Sequence, residues 1–154
     1  MKAKKIVTLM VASAMVCGMF GATTTVHAAA DVTLKLAHAD AEGSIFDQGA
    51  VAFQEKLQEL SGGTMDVELY RNGTLGSLSE VAEGIQMGTV DVAPIVTTTL
   101  ANFAPELNVF DMPYLIDDYQ MAYDALDGDI GKKFAESLED SSFKVEGWWS
   151  MGFR

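Results

Sequence analysis

Apolar positions along this chain change their spacing several times, and each change marks an element. Residues 6–20 form an apolar run broken only by small residues, behind Lys2, Lys4 and Lys5. A short polar stretch follows and ends at Ala28, Ala29 and Ala30. Residues 32–37 then alternate apolar and polar with β-branched content, which predicts a strand. Phe46, Ala50, Phe53, Leu57 and Leu60 recur at spacings of three and four, predicting a helix over 45–60 with Ser44 before it and the left-handed stop Gly62-Gly63 after it. Residues 65–70 alternate again, with Met65, Val67 and Leu69 on one face.

Asn72-Gly73 and Gly76 read as turns, and Ser77 with Glu80 three residues on is a capping box opening a helix over 78–87. Residues 90–96, interrupted by Asp91 and Pro94, read as a short buried strand with Thr97, Thr98 and Thr99 at its carboxyl end. Residues 107–110 read as a further short strand. Asp118 caps a helix over 119–126, Asp127-Gly128 breaks it, and a second helix runs over 130–139. Residues 143–149 read as the last strand. Trp148 and Trp149 point to opposite faces of it, so at least one belongs to the core. Strands alternating with helices predict an α/β layer with a largely parallel sheet.

The first thirty residues change the picture of where the chain works. A positive start, an apolar core and a small-residue exit make a secretory signal peptide over 1–28, with cuts after Ala28 and after Ala30 both fitting. The apolar core is short of the about 20 residues that span a bilayer, which argues against an uncleaved anchor. Cys17 lies inside it behind Val16 and Met15, not behind the small residue that a lipid-anchored leader needs. No cysteine follows it, so neither disulfides nor thiol chemistry are open to the mature residues. All 22 acidic residues lie beyond Ala30 and three of the ten basic ones before it, so cleavage moves the formal charge from −12 to −15. Such a field opposes nucleic acid and anionic membranes, and an anionic ligand must be caught by a local positive group. The remaining length suits one domain. The chain stops at Arg154 directly after an apolar run, where a polar tail is the usual ending, so a truncated sequence is expected.

Signatures of catalysis are missing. Beyond the leader His38 is the sole histidine, so the clustered ligands of a metal site are not available, and no cofactor is expected. No G-x-S-x-G, phosphate loop or dinucleotide fingerprint occurs, and Gly73-Thr74-Leu75-Gly76 is a turn without the lysine of a phosphate cradle. The chain is therefore not expected to be an enzyme. Open α/β sheets bind ligands outside the carboxyl ends of their strands. Those ends carry residues 38–44, 71–76, 97–99 and 151–154, a polar rim that finishes in Arg154, one of two arginines beyond the leader. Each piece also has a plain structural reading: His38 as a turn residue, the threonines as strand continuation, Arg154 as a solvated cation.

Five stretches in order carry a resemblance. They are Leu34-Lys35-Leu36-Ala37-His38; Leu60-Ser61-Gly62-Gly63 leading to Val67-Glu68-Leu69-Tyr70 and Asn72-Gly73-Thr74-Leu75-Gly76; Gly84-Ile85-Gln86-Met87-Gly88-Thr89-Val90-Asp91; Ala101-Asn102-Phe103-Ala104-Pro105-Glu106 with Phe110-Asp111-Met112-Pro113-Tyr114-Leu115; and Gly147-Trp148-Trp149 before Gly152-Phe153-Arg154. Nearly all of the mature chain resembles the solute receptor of tripartite ATP-independent periplasmic (TRAP) transporters, of the DctP-like type.

The resemblance implies a periplasmic-binding-protein-like α/β fold that is two-lobed in full length. Residues 29–148 would form an incomplete first lobe and 149–154 the start of the crossover to the second. It implies a periplasmic receptor that captures a small carboxylate and hands it to TRAP membrane subunits driven by an ion gradient, without ATP. The same fold also serves ligand-sensing modules of signalling partners. Arg154 matches a position where the family holds the ligand carboxylate, and a guanidinium suits that task because it donates two parallel hydrogen bonds. His38 and Ala39, with Val96, Thr97 and Thr98, would line the first-lobe wall. Some relatives place asparagine at the Ala39 position and glutamate at the Val96 position, and those departures argue against a sialic-acid-like ligand.

Overall fold

The computed structural model describes residues 30–150 and Gly152. The leader over 1–28, the cut after Ala28 and Arg154 lie outside the described residues, and the alternative cut after Ala30 falls at their start. Strand β1 (Val32–Ala37) pairs in parallel with β2 (Met65–Tyr70), Val32 opposite Met65 and Ala37 opposite Tyr70. On the other side of β1 a single parallel bridge joins Leu36 to Val92. Parallel strands need a long crossover, and α1 (Ile45–Ser61) supplies it. Local signals set its ends. The Ser44 hydroxyl accepts from the Asp47 N–H, and Gly62 takes a left-handed φ of 64° with its N–H on the last-turn carbonyls. Helix α2 (Leu78–Gln86) opens on the complete Ser77–Glu80 capping box.

Side-chain alternation along β1 sorts the core into two faces. Leu36 packs with Val67 and Ala50 under α1, with Phe53, Leu57, Leu69 and Val92 around them. Ala37, its neighbour, faces the other way onto Val81 and Val90, beside Tyr70 and Ile85. Helices thus cover both faces, as expected of an α/β layer. One expected core position differs. Leu60, in the last turn of α1, is 75% exposed.

Three of the expected strands take other forms. Residues 90–96 pair at Val92 only. The Asp91 carboxylate accepts the Lys35 N–H at 2.8 Å, Asp91 and Val92 both donate to the Lys35 carbonyl, and Pro94 has no N–H to give. The threonines do not continue the strand. Thr97–Leu100 is a short helix, α3, begun by the Thr99 and Leu100 N–H groups turning back onto the Val96 carbonyl. Residues 107–110 lie within a 3₁₀ helix, Pro105–Asp111, whose three-residue repeat puts Ala104, Leu107 and Phe110 on one face. Residues 143–149 belong to no assigned strand.

Helices α4 (Tyr119–Leu126), capped by Asp118, and α5 (Asp129–Glu139) complete the order. Leu100, Leu107, Leu138 and Phe143 bring α3, the 3₁₀ helix, α5 and the last segment into one apolar cluster, with Trp148 packed against it. Phe103 meets Phe143 edge-on at a centroid distance of 5.0 Å, a favoured geometry for aromatic pairs. Of the tandem tryptophans, Trp148 is the core residue and Trp149 stands 54% exposed.

Candidate functional site

Both parallel neighbours of β1 run in its direction, so the chain leaves all three segments at one edge of the sheet. Residues 38–44 leave β1 there, residues from Arg71 leave β2, and the run beyond the Val92 bridge reaches Val96 and α3. Parallel pairing therefore brings the His38–Ala39 and Val96–Thr98 regions to the same carboxyl edge, where open α/β sheets bind ligands. Ala39 and Thr98 are exposed; Val96 and Thr97 are half-buried. Helical turning fans the three threonines around α3 instead of alternating them, so they do not form one row of hydroxyls. Arg154 lies outside the described residues.

His38 lies elsewhere than on a rim. Its ring is fully enclosed, and Nε2 lies 3.3 Å from Asp47 Oδ1. No hydrogen bond of good alignment reaches either ring nitrogen from the described residues. The backbone explains the inward turn: the His38 N–H donates to the Tyr70 carbonyl, extending the β1–β2 ladder one residue past the strand ends, and the Gly73 N–H donates to the His38 carbonyl.

Asp47 is the hub of this end of the molecule. Oδ2 accepts the Gly43 N–H at 2.8 Å, and Oδ1 accepts Arg71 Nε at 2.5 Å while facing His38. One carboxylate thus ties together the loop after β1, the first turn of α1 and the exit of β2. The Gly43 N–H first, and then Arg71, hold its carboxyl below the ordinary value of 3.8, with burial working against them. Asp47 is outside the rim stretches read from sequence, and Arg71 is inside one of them, 71–76, without a role of its own. Ser44-x-x-Asp47 is the short pattern that could have found the aspartate. Nothing local points to the pairing of Arg71 with Asp47, 24 residues away.

Next to this hub a cleft of about 370 Å³ opens between the first turns of α1 and the last segment, lined by Ile45, Phe46, Gln48, Gly49, Trp149 and Ser150. The Trp149 ring rests on Gly49 so closely that a Cβ there would lie 2.7 Å from two of its atoms. Gln48 Nε2 donates to the Gly43 carbonyl at 2.9 Å, which joins the cleft wall to the loop after β1. The residues that line the cleft carry no charge. Among the described residues no group of His, Cys, Asp or Glu is arranged to hold a metal ion, and no helix is long and apolar enough to cross a membrane.

Comparison with known proteins places this architecture. The family model described as DctP, bacterial extracellular solute-binding protein family 7, matches residues 36–154. The chain is similar to the C4-dicarboxylate-binding protein DctB of Bacillus subtilis, 32% identical over 123 residues, which is 80% of this chain and 35% of that protein. Among solved structures it is similar to a TRAP periplasmic solute-binding protein from Bordetella bronchispeptica with ligand density assigned to pantoate. That match is 39% identical with a TM-score of 0.67, over 71% of this chain and 36% of that one. A second, from Sulfurospirillum deleyianum with bound succinate, matches with a TM-score of 0.75 and 25% identity, over 80% of this chain and 40% of that one. The chain spans about a third of the length of the curated relatives it matches. These relatives are solute-binding proteins of transport, several of them named as periplasmic. The chain belongs to the DctP family of bacterial extracellular solute-binding proteins, family 7, and resembles part of a TRAP receptor.

Proposed function

We propose that this chain supplies the first-lobe wall of an extracytoplasmic receptor that captures a small organic acid and delivers it to ion-gradient-driven TRAP membrane subunits. The observation that carries the reading is that β1 runs parallel both to β2 and to the Val92 bridge, so the segments leading to Ala39 and to Val96, Thr97 and Thr98 leave the sheet in the same direction, in a chain of this family. Relatives described as binding C4-dicarboxylates, or solved with succinate, support a small acid as cargo. On this reading residues 1–28 direct export to the periplasm and are removed, 29–148 build the lobe, and 149–154 begin the crossover to a facing lobe. Arg154 holds the ligand carboxylate with paired hydrogen bonds, and in a closing, water-poor cleft it outweighs the diffuse repulsion of an acidic domain. His38 acts from behind the wall, through Asp47.

The test is a thermal-shift screen of the whole mature protein against mono- and dicarboxylates, keto acids and sugar acids. A ligand at about 100 times its dissociation constant adds about 2.7 kcal/mol and raises the midpoint by several degrees. Silence from folded, ligand-free protein across every acid would remove the reading. Arg154→Ala is expected to weaken binding of the acid so found about a hundredfold, since stripping one partner from a buried charge pair costs about 3 kcal/mol or more. Unchanged affinity in calorimetry would take Arg154 out of the site.

A further inference from the structure

The cleft beside Trp149 bears on which acid is bound. It opens at the α1 end nearest the ligand-bearing edge, and its volume of about 370 Å³ lies within the range of small-molecule sites. Ile45, Phe46, Gly49 and Trp149 make its walls apolar, and Ile45 and Trp149 are left 62% and 54% exposed. Its two polar residues are Gln48, one of whose amide N–H groups donates to the Gly43 carbonyl, and Ser150, whose hydroxyl accepts the Gly152 N–H. Gly49 is the piece that shapes it, since any larger residue would push the indole off the helix.

We infer that this cleft is a subsite for the body of the ligand, and that it selects an acid whose body is apolar, aromatic or branched aliphatic, over a polyhydroxylated sugar acid. The inference rests on the receptor reading above. A planar or branched body would cover the indole face and Ile45 and remove apolar surface from water. The hydroxyls of a sugar acid would lose water against these walls and find few partners there, which a buried polar group tolerates poorly. Gln48 adds orientation: its bond to the loop after β1 couples the subsite wall to the rim that faces the carboxylate.

Calorimetric titration of the whole mature protein with phenylacetate, 2-oxo-4-methylpentanoate, succinate and galactonate tests this. One of the two apolar-bodied acids is expected to bind tighter than both others by about tenfold or more, the discrimination a pocket of this kind achieves. Gly49→Ala, which displaces the ring, is expected to weaken that acid by about tenfold while the thermal midpoint of the free protein holds or rises, alanine being the better helix former. Trp149→Phe keeps an aromatic wall and should restore most of the affinity lost in Trp149→Ala. Tighter binding of galactonate or succinate would overturn the subsite and leave the receptor reading standing. So would an equal loss for every acid in Gly49→Ala and Trp149→Ala, which would mark the cleft as a seat for the facing lobe. Binding of no acid at all would take down both.

Discussion

At the scale of single residues, one carboxylate carries most of the consequence. Asp47 accepts the Gly43 N–H and Arg71 Nε while lying 3.3 Å from the His38 ring, so its charge is part of the architecture of the sheet edge. Its folded value is depressed, chiefly by the Gly43 N–H and then by Arg71. The sign follows directly. A group lowered on folding stabilises the native state above its unfolded value, near 4, and that contribution is lost as pH falls through the lower folded value. Asp47→Asn keeps the shape and removes the charge. Its thermal midpoint is expected several degrees below wild type at neutral pH, with the gap narrowing as pH falls below the unfolded value near 4 and the wild-type carboxylate is protonated in its turn. A gap that stays constant across that range in a melting series would show that the charge is immaterial. The aspartate was half legible: Ser44-x-x-Asp47 announces a helix start, but Arg71 and His38 come to it only through the parallel pairing of β1 with β2.

At the scale of elements, helix ends and the two paired strands β1 and β2 were readable, and three further expected strands were not. Ser44, Ser77 and Asp118 each cap the helix their positions predict, and Gly62 ends α1 left-handed, because a cap is a bond between residues three or four apart. A strand exists only if a neighbour completes its ladder. Residues 90–96 lose theirs to the Asp91 carboxylate and Pro94, and in residues 105–111 the three-residue repeat of Ala104, Leu107 and Phe110 prevails over the apparent alternation. The α4–α5 junction gives an element-scale prediction. A Cβ on Gly131 would collide with the Leu126 carbonyl oxygen, a backbone atom that cannot swing aside. Gly131→Ala should therefore destabilise by about 2 kcal/mol or more in urea unfolding, in the range of overpacking costs, although alanine in an open helix gains about 1 kcal/mol over glycine. A stabilised variant would mean that the two helices can part without loss.

At the scale of the whole molecule, the apolar cluster around Leu107 unites what the sheet does not. Leu107 is fully buried where α3, the 3₁₀ helix and α5 meet, with Phe143 and Trp148 of the last segment beside it. Leu107→Ala is expected to cost about 2–5 kcal/mol, a loss that should loosen these elements together. Denaturant melts followed by far-ultraviolet dichroism and by tryptophan fluorescence would report it, and a cost below about 1 kcal/mol would show that the site collapses easily. The order of residues alone determined the first strand–helix–strand–helix run, the ends of the capped helices, the acidic field and the family likeness, since all of these rest on periods, caps, composition and short motifs that neighbouring residues settle among themselves. Tertiary structure alone decided that His38 turns inward to Asp47, that Arg71 joins them, and that Trp149 settles on Gly49 to shape an apolar cleft. Each of these pairs residues far apart in the chain, and such contacts exist only once parallel pairing and helix packing have brought distant segments to one edge.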